Sequence, residues 1–432
     1  MKVEIPYSCG VLCLELPDFS FVYKSTYGEP SCSAERMVME AAAEPVASPG
    51  LSESLKKRSG RGVVIAVSDI TRPIPYREFL PALLRFIESN GISRDEITIL
   101  IATGMHRPST AEEHLYMFGR FVAENYRILD HDAEGDLAVI SGRTQSGGEI
   151  KINRFFAEAG YKITIGLVEP HFMAGFSGGR KTLCPGLSSL DTIKNFHGYE
   201  FLSNPGACAA NLHGNPCHDE ALSVAAFAGV DFSINVVLNS GKKIIRVFAG
   251  EIVMAHKKAC EYVRGNACPP VRREADVVIT GCGGYPLDAT FYQCTKSLVT
   301  SLPCVKKSGI IIAAGGCIEG IGSETYREML RKYNNDYRSF LNDIKVSETI
   351  VKDQWQIQMQ ARFDSHVGWR NVHFYCHGIV QEESGFLGVK AFCCKESEIE
   401  KTVQAEIRTL SEEGAVFAVI PEGPYCTPVV IR

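Results

Sequence analysis

Residues 63–75, VVIAVSDITRPIP, and residues 97–108, ITILIATGMHRP, decide the fold of this chain. In each stretch a short and wholly apolar segment, which predicts a buried strand, runs directly into a polar loop that precedes a helical pattern. Residues 163–167 form a third apolar segment, and it leads into the loop EPHFMAGFSGG at 169–179. Short apolar strands that alternate with helices indicate a parallel sheet with helices on both faces.

The second half of the chain repeats this alternation after Cys268-Pro269-Pro270, where the helical pattern of residues 251–264 is broken. A chain of 432 residues is also too long for one ordinary core. We therefore predict an α/β fold of two domains, residues 1–268 and 269–432, each with a mostly parallel sheet covered by helices and with the site in the cleft between them. Further predicted elements are a strand pair at 2–16, a helix at 34–43, a hairpin at 234–248 and strands at 277–280, 310–314, 372–376 and 416–420.

Composition excludes several classes of partner. The formal charge of −5 gives no electrostatic reason to expect nucleic acid or an anionic membrane. The sequence contains neither a signal-peptide pattern nor 18 consecutive apolar residues. The 16 cysteines include no C-x-x-C pair, the usual mark of zinc and iron–sulfur sites. These features predict a protein of the reducing cytoplasm without a nucleic-acid or membrane partner.

Polar motifs follow three of the predicted strands at the point where each strand ends. Asp69 and Arg72 follow the first strand, His106 the second and His171 the third. Taken singly, an Asp–Arg pair stabilises a turn and a lone histidine caps a loop. Because ligands collect at the carboxyl ends of parallel strands, however, the set predicts one shared crevice. Two histidines and a guanidinium that can clamp a carboxylate suit proton transfer on a hydroxy acid.

The segment from Glu169 to His197 is too polar for a core and rich in glycine. It resembles a phosphate-binding loop, but Arg180 stands where that pattern requires glycine before Lys181, which argues against an ATP-dependent kinase or ligase. Lys181 could pair with an anion or, when deprotonated, act as a nucleophile. His197 has no neighbouring ligand pattern, so spacing alone does not favour a metal there.

Taken together, SDITRP, ATGMHRP, EPHFMAGFSGGRKTLCPG, NFH, YQCTK and DQW resemble the motifs of the nickel-pincer-nucleotide lactate racemase family, in the family's order from Ser68 to Trp355. The resemblance implies a pyridinium mononucleotide whose two sulfur-containing arms chelate nickel, tethered through a thioamide to Lys181. It implies that His197 is the one protein ligand of the nickel, because the cofactor fills the other positions of a square plane. It also implies paired acid/base roles for His106 and His171. The residues that it implies contact cofactor or substrate are Asp69, Ile70, Thr71, Arg72, Tyr292, Gln293, Lys296 and Trp355, with Arg72 and Lys296 holding the substrate carboxylate.

The resemblance implies a racemase or epimerase of a 2-hydroxy acid, with lactate as the default substrate. Its partners would be that small molecule and the proteins that synthesise the cofactor and insert nickel. One alternative is a protein that carries the nickel nucleotide without catalysis. Such a carrier needs Lys181 and His197 but neither His106 nor His171.

Overall fold

The structure, a computed structural model, describes residues 1–60, 62–144, 146–347 and 349–430, with the exception of the Ser141 side chain. The elements of the first part of the chain are, in order, β1 (Lys2–Tyr7), β2 (Gly10–Glu15), β3 (Phe21–Val22), α1 (Ala34–Ala43), α2 (Leu51–Leu55), β4 (Val63–Ser68), α3 (Leu80–Ser89), β5 (Ile97–Ala102), α4 (Ala111–Asn125), β6 (Arg127–Asp130), β7 (Leu137–Arg143), β8 (Glu149–Asn153), α5 (Arg154–Ala157), β9 (Tyr161–Leu167), β10 (Pro170–His171), β11 (Gly175–Phe176), α6 (Leu190–Phe196), α7 (Tyr199–Ser203), α8 (Pro216–Ala228), β12 (Phe232–Leu238), β13 (Ile244–Gly250) and α9 (Ile252–Ala267).

The second part of the chain again alternates strands and helices. Its elements are β14 (Ala275–Gly281), α10 (Phe291–Thr300), β15 (Val305–Ala314), α11 (Glu324–Tyr333), α12 (Tyr337–Val346), α13 (Gln354–Val367), β16 (Val372–Cys376), β17 (Lys390–Cys393), α14 (Glu396–Glu412) and β18 (Phe417–Ile420).

A six-stranded sheet forms the centre of the first part, in the order β13-β12-β9-β4-β5-β6. All neighbours are parallel except β12 and β13, which are antiparallel. Val67 of β4 pairs with Ile101 of β5 on one side and Ile165 of β9 on the other. The three strands that precede the polar motifs are therefore adjacent, and their carboxyl ends meet at one edge.

A second six-stranded sheet has the order β17-β16-β15-β14-β18-β3 and is parallel throughout. Its last strand, β3, comes from the beginning of the chain, where Phe21 and Val22 pair with Ala418 and Val419. The β1–β2 hairpin packs into the same apolar cluster as β14 and β18. The first 22 residues thus belong structurally with the second sheet.

The predicted α/β class with two parallel-dominated sheets is confirmed, and so are the strand pair at 2–16, the helix at 34–43 and the hairpin at 234–248. Strands β3, β6, β17 and the β7–β8 hairpin, together with helix α2, were not predicted, because each is short or lacks a clear apolar period. The division of the chain at residue 268 stays a prediction. In the described ranges, no helix combines the length and the apolar character that crossing a membrane requires.

Candidate functional site

The candidate site is a cavity of about 160 Å³ at the carboxyl ends of β4, β5 and β9. Residues from both parts of the chain line it, from Ser68 to His197 and from Tyr292 to Gln356. All the predicted site residues lie on its wall except Ile70. Ile70 lines a neighbouring cavity of about 470 Å³, whose wall also includes Asp69, His106 and Tyr292. The roles of these residues stay predictions, but the structure does bring them together.

Asp69 and His106 form a hydrogen-bonded pair across the ends of β4 and β5. The distance from His106 Nδ1 to Asp69 Oδ2 is 2.5 Å, and the Thr71 hydroxyl donates to Asp69 Oδ1 at 2.6 Å. Burial alone would raise the pKa of Asp69, but the charge and hydrogen bond of His106, with Thr71 and Arg72, bring that pKa below its usual value. An ionised carboxylate only accepts, so His106 Nδ1 is the donor, and in the neutral form of the ring Nε2 keeps the lone pair.

His171 has the opposite hydrogen-bond pattern. Its Nδ1 accepts from the backbone N–H groups of Met173 and Ala174, both at 3.2 Å. The neutral ring therefore carries its proton on Nε2, which lies 2.8 Å from Lys181 Nζ. Burial, followed by the positive charges of Lys181, Lys296 and Arg72, holds the pKa of His171 well below its ordinary value.

Lys181 follows a loop that approaches strand β9 closely. Gly178, with φ at +72°, brings the backbone so near that a Cβ atom there would lie 2.9 Å from the Leu167 oxygen. Arg180 is buried and donates to the Ala174 carbonyl at 2.7 Å, which fixes the turn before the lysine. Burial and the cations Arg72 and Arg180 hold the pKa of Lys181 well below its usual value, which favours the deprotonated, nucleophilic amine.

His197 caps the carboxyl end of α6 and is 7% exposed. Its Nδ1 lies 2.8 Å from the Ile193 carbonyl oxygen, which can only accept, so Nδ1 carries the proton and Nε2 keeps a lone pair. Its ring stacks on Trp355 at 4.6 Å, and the Trp355 indole N–H donates to the Tyr292 hydroxyl at 2.8 Å. Burial, then the Lys181 charge, lowers the pKa of His197 to about 3. The imidazole is therefore neutral, as a metal ligand must be.

The second part of the chain contributes α10, in which Thr290 caps the first turn by accepting from the Gln293 N–H. Gln293 and Lys296 stand one turn apart on this helix, as predicted from their spacing. Burial and the neighbouring Arg72 lower the pKa of Lys296 to about 7, while Glu169 opposes that shift. The side-chain oxygen of Gln293 is buried without a hydrogen-bond partner.

Two residues at this site were given no role from the sequence. Arg180 was noted only as a departure from the phosphate-loop pattern, yet it is buried beside Lys181. Glu169 forms an ion pair with Arg72, with 3.5 Å between Oε1 and Nε. The only available signal for Glu169 was a charged residue directly after the third strand, in the EPH motif.

The described residues contain no group of three or more His, Cys, Asp or Glu side chains able to hold a metal ion by themselves. A metal at His197 would therefore need most of its ligands from a bound molecule. The lone pair at His197 Nε2, the Lys181 amine with its lowered pKa and the unpartnered Gln293 oxygen are chemically suited to such a molecule.

Comparison with known proteins gives two family matches. Residues 7–210 match the lactate racemase N-terminal domain and residues 271–423 the lactate racemase C-terminal domain. A lactate racemase from Thermoanaerobacterium thermosaccharolyticum is 36% identical over 368 residues, which is 84% of this chain and 85% of that protein. Another from Lactiplantibacillus plantarum is 35% identical over 375 residues, 85% of this chain and 87% of that protein.

Solved structures show the same relationship. The lactate racemase apoprotein from Thermoanaerobacterium thermosaccharolyticum superposes with a TM-score of 0.85 at 31% identity, over 99% of this chain and all of that one. A protein from Thermotoga maritima superposes with a TM-score of 0.70 at 18% identity, over 93% of this chain and all of that one, which shows the shared fold alone. The predicted resemblance is confirmed, and with it the prediction of an isomerase. The chain belongs to the lactate racemase family.

Proposed function

We propose that the chain racemises or epimerises a 2-hydroxy acid, with lactate as the default substrate, and uses a nickel-pincer nucleotide tethered through Lys181. The observation that carries the proposal is the convergence of His106, His171, Arg72 and Lys296 on one cavity. Two imidazoles can exchange protons with a hydroxyl group, and two cations can hold a carboxylate beside it.

Arg72 and Lys296 bind and orient the substrate carboxylate. A guanidinium offers two parallel N–H groups to a carboxylate, whereas an ammonium acts as a point charge. Burial strengthens both contacts, because little water competes inside the cavity. With the carboxylate held, the hydroxyl group and the Cα hydrogen of the substrate take fixed positions relative to the histidines.

His106 and His171 move the hydroxyl proton. His106 Nε2 has a free lone pair and begins as the base, since Asp69 holds the other ring nitrogen protonated. His171 is the paired acid: in its doubly protonated form it would return a proton to the substrate oxygen and become the neutral imidazole. The roles reverse in the opposite direction of the reaction. General acid–base catalysis of this kind contributes about 10²- to 10⁴-fold in rate.

The remaining site residues fit the cofactor that the family resemblance implies. Lys181 would form the tether, His197 Nε2 would be the protein ligand to nickel, and Trp355 would pack against the His197 ring. Asp69, Ile70, Thr71, Arg72, Tyr292, Gln293 and Lys296 would contact the nucleotide or the substrate. When bound, the cofactor would supply an acceptor for the Cα hydrogen and its electron pair, which no histidine can take. Arg72 and Lys296 would hold the keto acid in place between loss and return of that hydrogen.

The cellular setting forms part of the same proposal. We place the protein in the cytoplasm, with cofactor-synthesis and nickel-insertion proteins as partners and without nucleic acid or membrane. The proposal retains the division into residues 1–268 and 269–432, with the strands of the first 22 residues packed on the second sheet.

The test uses protein produced together with the cofactor-synthesis enzymes. Chiral chromatography of single enantiomers of several 2-hydroxy acids measures racemisation, and metal analysis and the mass of the Lys181 peptide measure loading. We expect about one nickel per chain, an adduct on Lys181 and interconversion of at least one acid. Active protein without the adduct would refute the tether, and holoprotein without nickel would refute the cofactor.

A double variant, His106→Ala with His171→Ala, separates the enzyme from a nickel-nucleotide carrier. We expect it to keep nickel and the Lys181 adduct and to lose racemisation. Nickel-loaded wild-type protein that converts none of the acids would instead favour the carrier.

A further inference from the structure

Glu169 is a buried carboxylate to which the mechanism above gives no task. Its side chain is 17% exposed, and Ser177 hydrogen-bonds to its backbone and to that of Leu167. The Glu169 N–H donates to the Ser177 hydroxyl at 3.0 Å, the Ser177 N–H donates to the Glu169 carbonyl at 3.0 Å, and the same hydroxyl donates to the Leu167 carbonyl at 2.7 Å. Burial raises the pKa of the Glu169 carboxyl, and the adjacent cations oppose that rise, so the ionised form needs compensating charge.

That compensating charge comes from the two cations of the site. Arg72 Nε lies 3.5 Å from Glu169 Oε1, and Arg72 is itself 19% exposed. Glu169, Arg72 and Lys296 also share the wall of a small space behind His171, next to Thr300 and Tyr425. Arg72 and Lys296 line the main cavity as well, whereas Glu169 is not among the described residues that do. Arg72 and Lys296 therefore lie between Glu169 on one side and the substrate cavity on the other.

We propose that Glu169 is a positioning residue that anchors Arg72 and supplies a negative charge beside Lys296, so that both side chains face the substrate carboxylate. This inference rests on the proposed function, because it concerns the same carboxylate. Glu169 itself does not touch the substrate. It acts through the two cations.

The charged and titratable groups that face Lys296 are Arg72, Glu169, Asp69, the Cys294 thiol, Lys181 and His171. Burial and Arg72 lower the Lys296 pKa to about 7, and Glu169 and Asp69 oppose them. Removing one adjacent negative charge weakens proton binding to such an amine by about tenfold. At pH 8 the protonated fraction of Lys296 then falls by about ninefold, whereas at pH 6 it falls by about twofold.

The test measures binding of 2-hydroxy-2-methylpropanoate, a hydroxy acid without a Cα hydrogen, to the holoprotein by calorimetry at pH 6 and pH 8. For Glu169→Gln we expect the Kd to rise by about tenfold at pH 8 and by no more than about threefold at pH 6. For Glu169→Asp, which keeps the charge on a shorter side chain, we expect a weaker Kd at both pH values and an unshifted pH midpoint. Glu88→Gln is the matched control, because it removes a carboxylate paired with Arg94 at 2.8 Å outside both cavities.

Nickel content and the Lys181 adduct should be the same in all four proteins, which separates positioning from a general loss of structure. In steady-state assays of Glu169→Gln, we expect KM to rise at pH 8 while kcat changes by less than about threefold. An equal Kd for Glu169→Gln and wild type at pH 8, or the same increase at both pH values, would overturn the inference. If Glu169→Gln does not fold, a shifted pH midpoint in Glu169→Asp would overturn it.

Binding without catalysis keeps this inference distinct from the proposed function. Wild-type holoprotein that binds the analogue but converts no 2-hydroxy acid would end the proposed function, while the Kd comparison would still decide the role of Glu169. Wild-type protein that does not bind the analogue at pH 6 would overturn the inference, because the cations would then have no carboxylate to hold.

Discussion

Replacing Asp69 with asparagine should disable His106 as a base, for a reason that lies in the hydrogen bonds around the carboxylate. Asp69 Oδ1 accepts from the Thr71 hydroxyl at 2.6 Å, and Oδ2 accepts from His106 Nδ1 at 2.5 Å. In Asp69→Asn the side-chain oxygen stays opposite the Thr71 donor, so the amide nitrogen faces His106. Since that nitrogen only donates, His106 must accept at Nδ1 and carry its proton on Nε2. The lone pair that the reaction needs is then absent.

The magnitude follows from two contributions. Loss of the charge-assisted hydrogen bond that orients His106 costs about 1.5–3 kcal/mol, which corresponds to a decrease in kcat of about 10- to 150-fold. Loss of the basic nitrogen removes a general-base contribution of about 10²- to 10⁴-fold. Because both describe the same histidine they do not multiply, and we expect kcat to fall by about 10²- to 10⁴-fold.

The assay is racemisation of one enantiomer, followed by chiral chromatography and expressed per bound nickel, so that any effect on cofactor loading is separated. A second variant sharpens it. Asp69→Asn with Thr71→Val removes the hydroxyl that fixes the amide, so the amide can turn its oxygen to His106. Two ratios of kcat are compared: the loss from wild type to Asp69→Asn, and the loss from Thr71→Val to the double variant. We expect the second loss to be at least tenfold smaller than the first. The reasoning is refuted if Asp69→Asn keeps more than a tenth of wild-type kcat, or if the double variant recovers nothing.

Three further outcomes are expected. In the apoprotein at pH 7, cyanate should carbamylate Lys181 at least about tenfold faster than the exposed Lys257, because burial and adjacent cations lower the Lys181 pKa. Peptide mass spectrometry measures the two rates, and equal rates would contradict the lowered pKa. Burial lowers the pKa values of His131 and His256, so below about pH 6.5 the unfolded chain binds protons that the folded protein does not. As the pH falls, the free energy of unfolding in urea should therefore decrease by up to about 1.4 kcal/mol per histidine per pH unit. A constant free energy of unfolding between pH 7.5 and 5 would contradict this. Gly175→Ala should destabilise the apoprotein by at least about 2 kcal/mol, because φ is +78° and a Cβ atom would lie 2.1 Å from the Asn211 backbone oxygen. Gly28→Ala is the control, since a Cβ atom at Gly28 meets nothing within 4 Å. Equal melting temperatures of the two variants would contradict the expected strain.

The parallel strands were predictable because they are buried on both faces. Val63–Ser68 and Ile97–Ala102 are apolar almost throughout, so their type and position follow from composition alone. Strand β3 could not be predicted, because Phe21–Val22 is only two residues long and pairs with residues nearly 400 positions later. The same limit applies to β17, a four-residue edge strand.

At the site, the sequence could predict that His106, His171 and Arg72 converge, because parallel neighbouring strands bring their carboxyl ends to one edge. It could not predict the proton positions on the two histidines. Those depend on the Asp69 carboxylate in one case and on two backbone N–H groups in the other. The sequence also could not predict that Glu169 is buried beside two cations, because this depends on how α10 packs against the loop after β9.

The short strand β3 has a consequence for any attempt to dissect this chain. Tyr23 extends its pairing with a hydrogen bond from N–H to the Val419 carbonyl at 2.9 Å, and the Tyr23 hydroxyl accepts from the Arg272 N–H at 3.1 Å. A fragment beginning at residue 269 would leave the β18 edge bare, a template for self-association. Adding a peptide of residues 1–24 should restore solubility to that fragment, much as a missing strand is donated in trans. Strands from near both ends of the chain thus pair within one sheet.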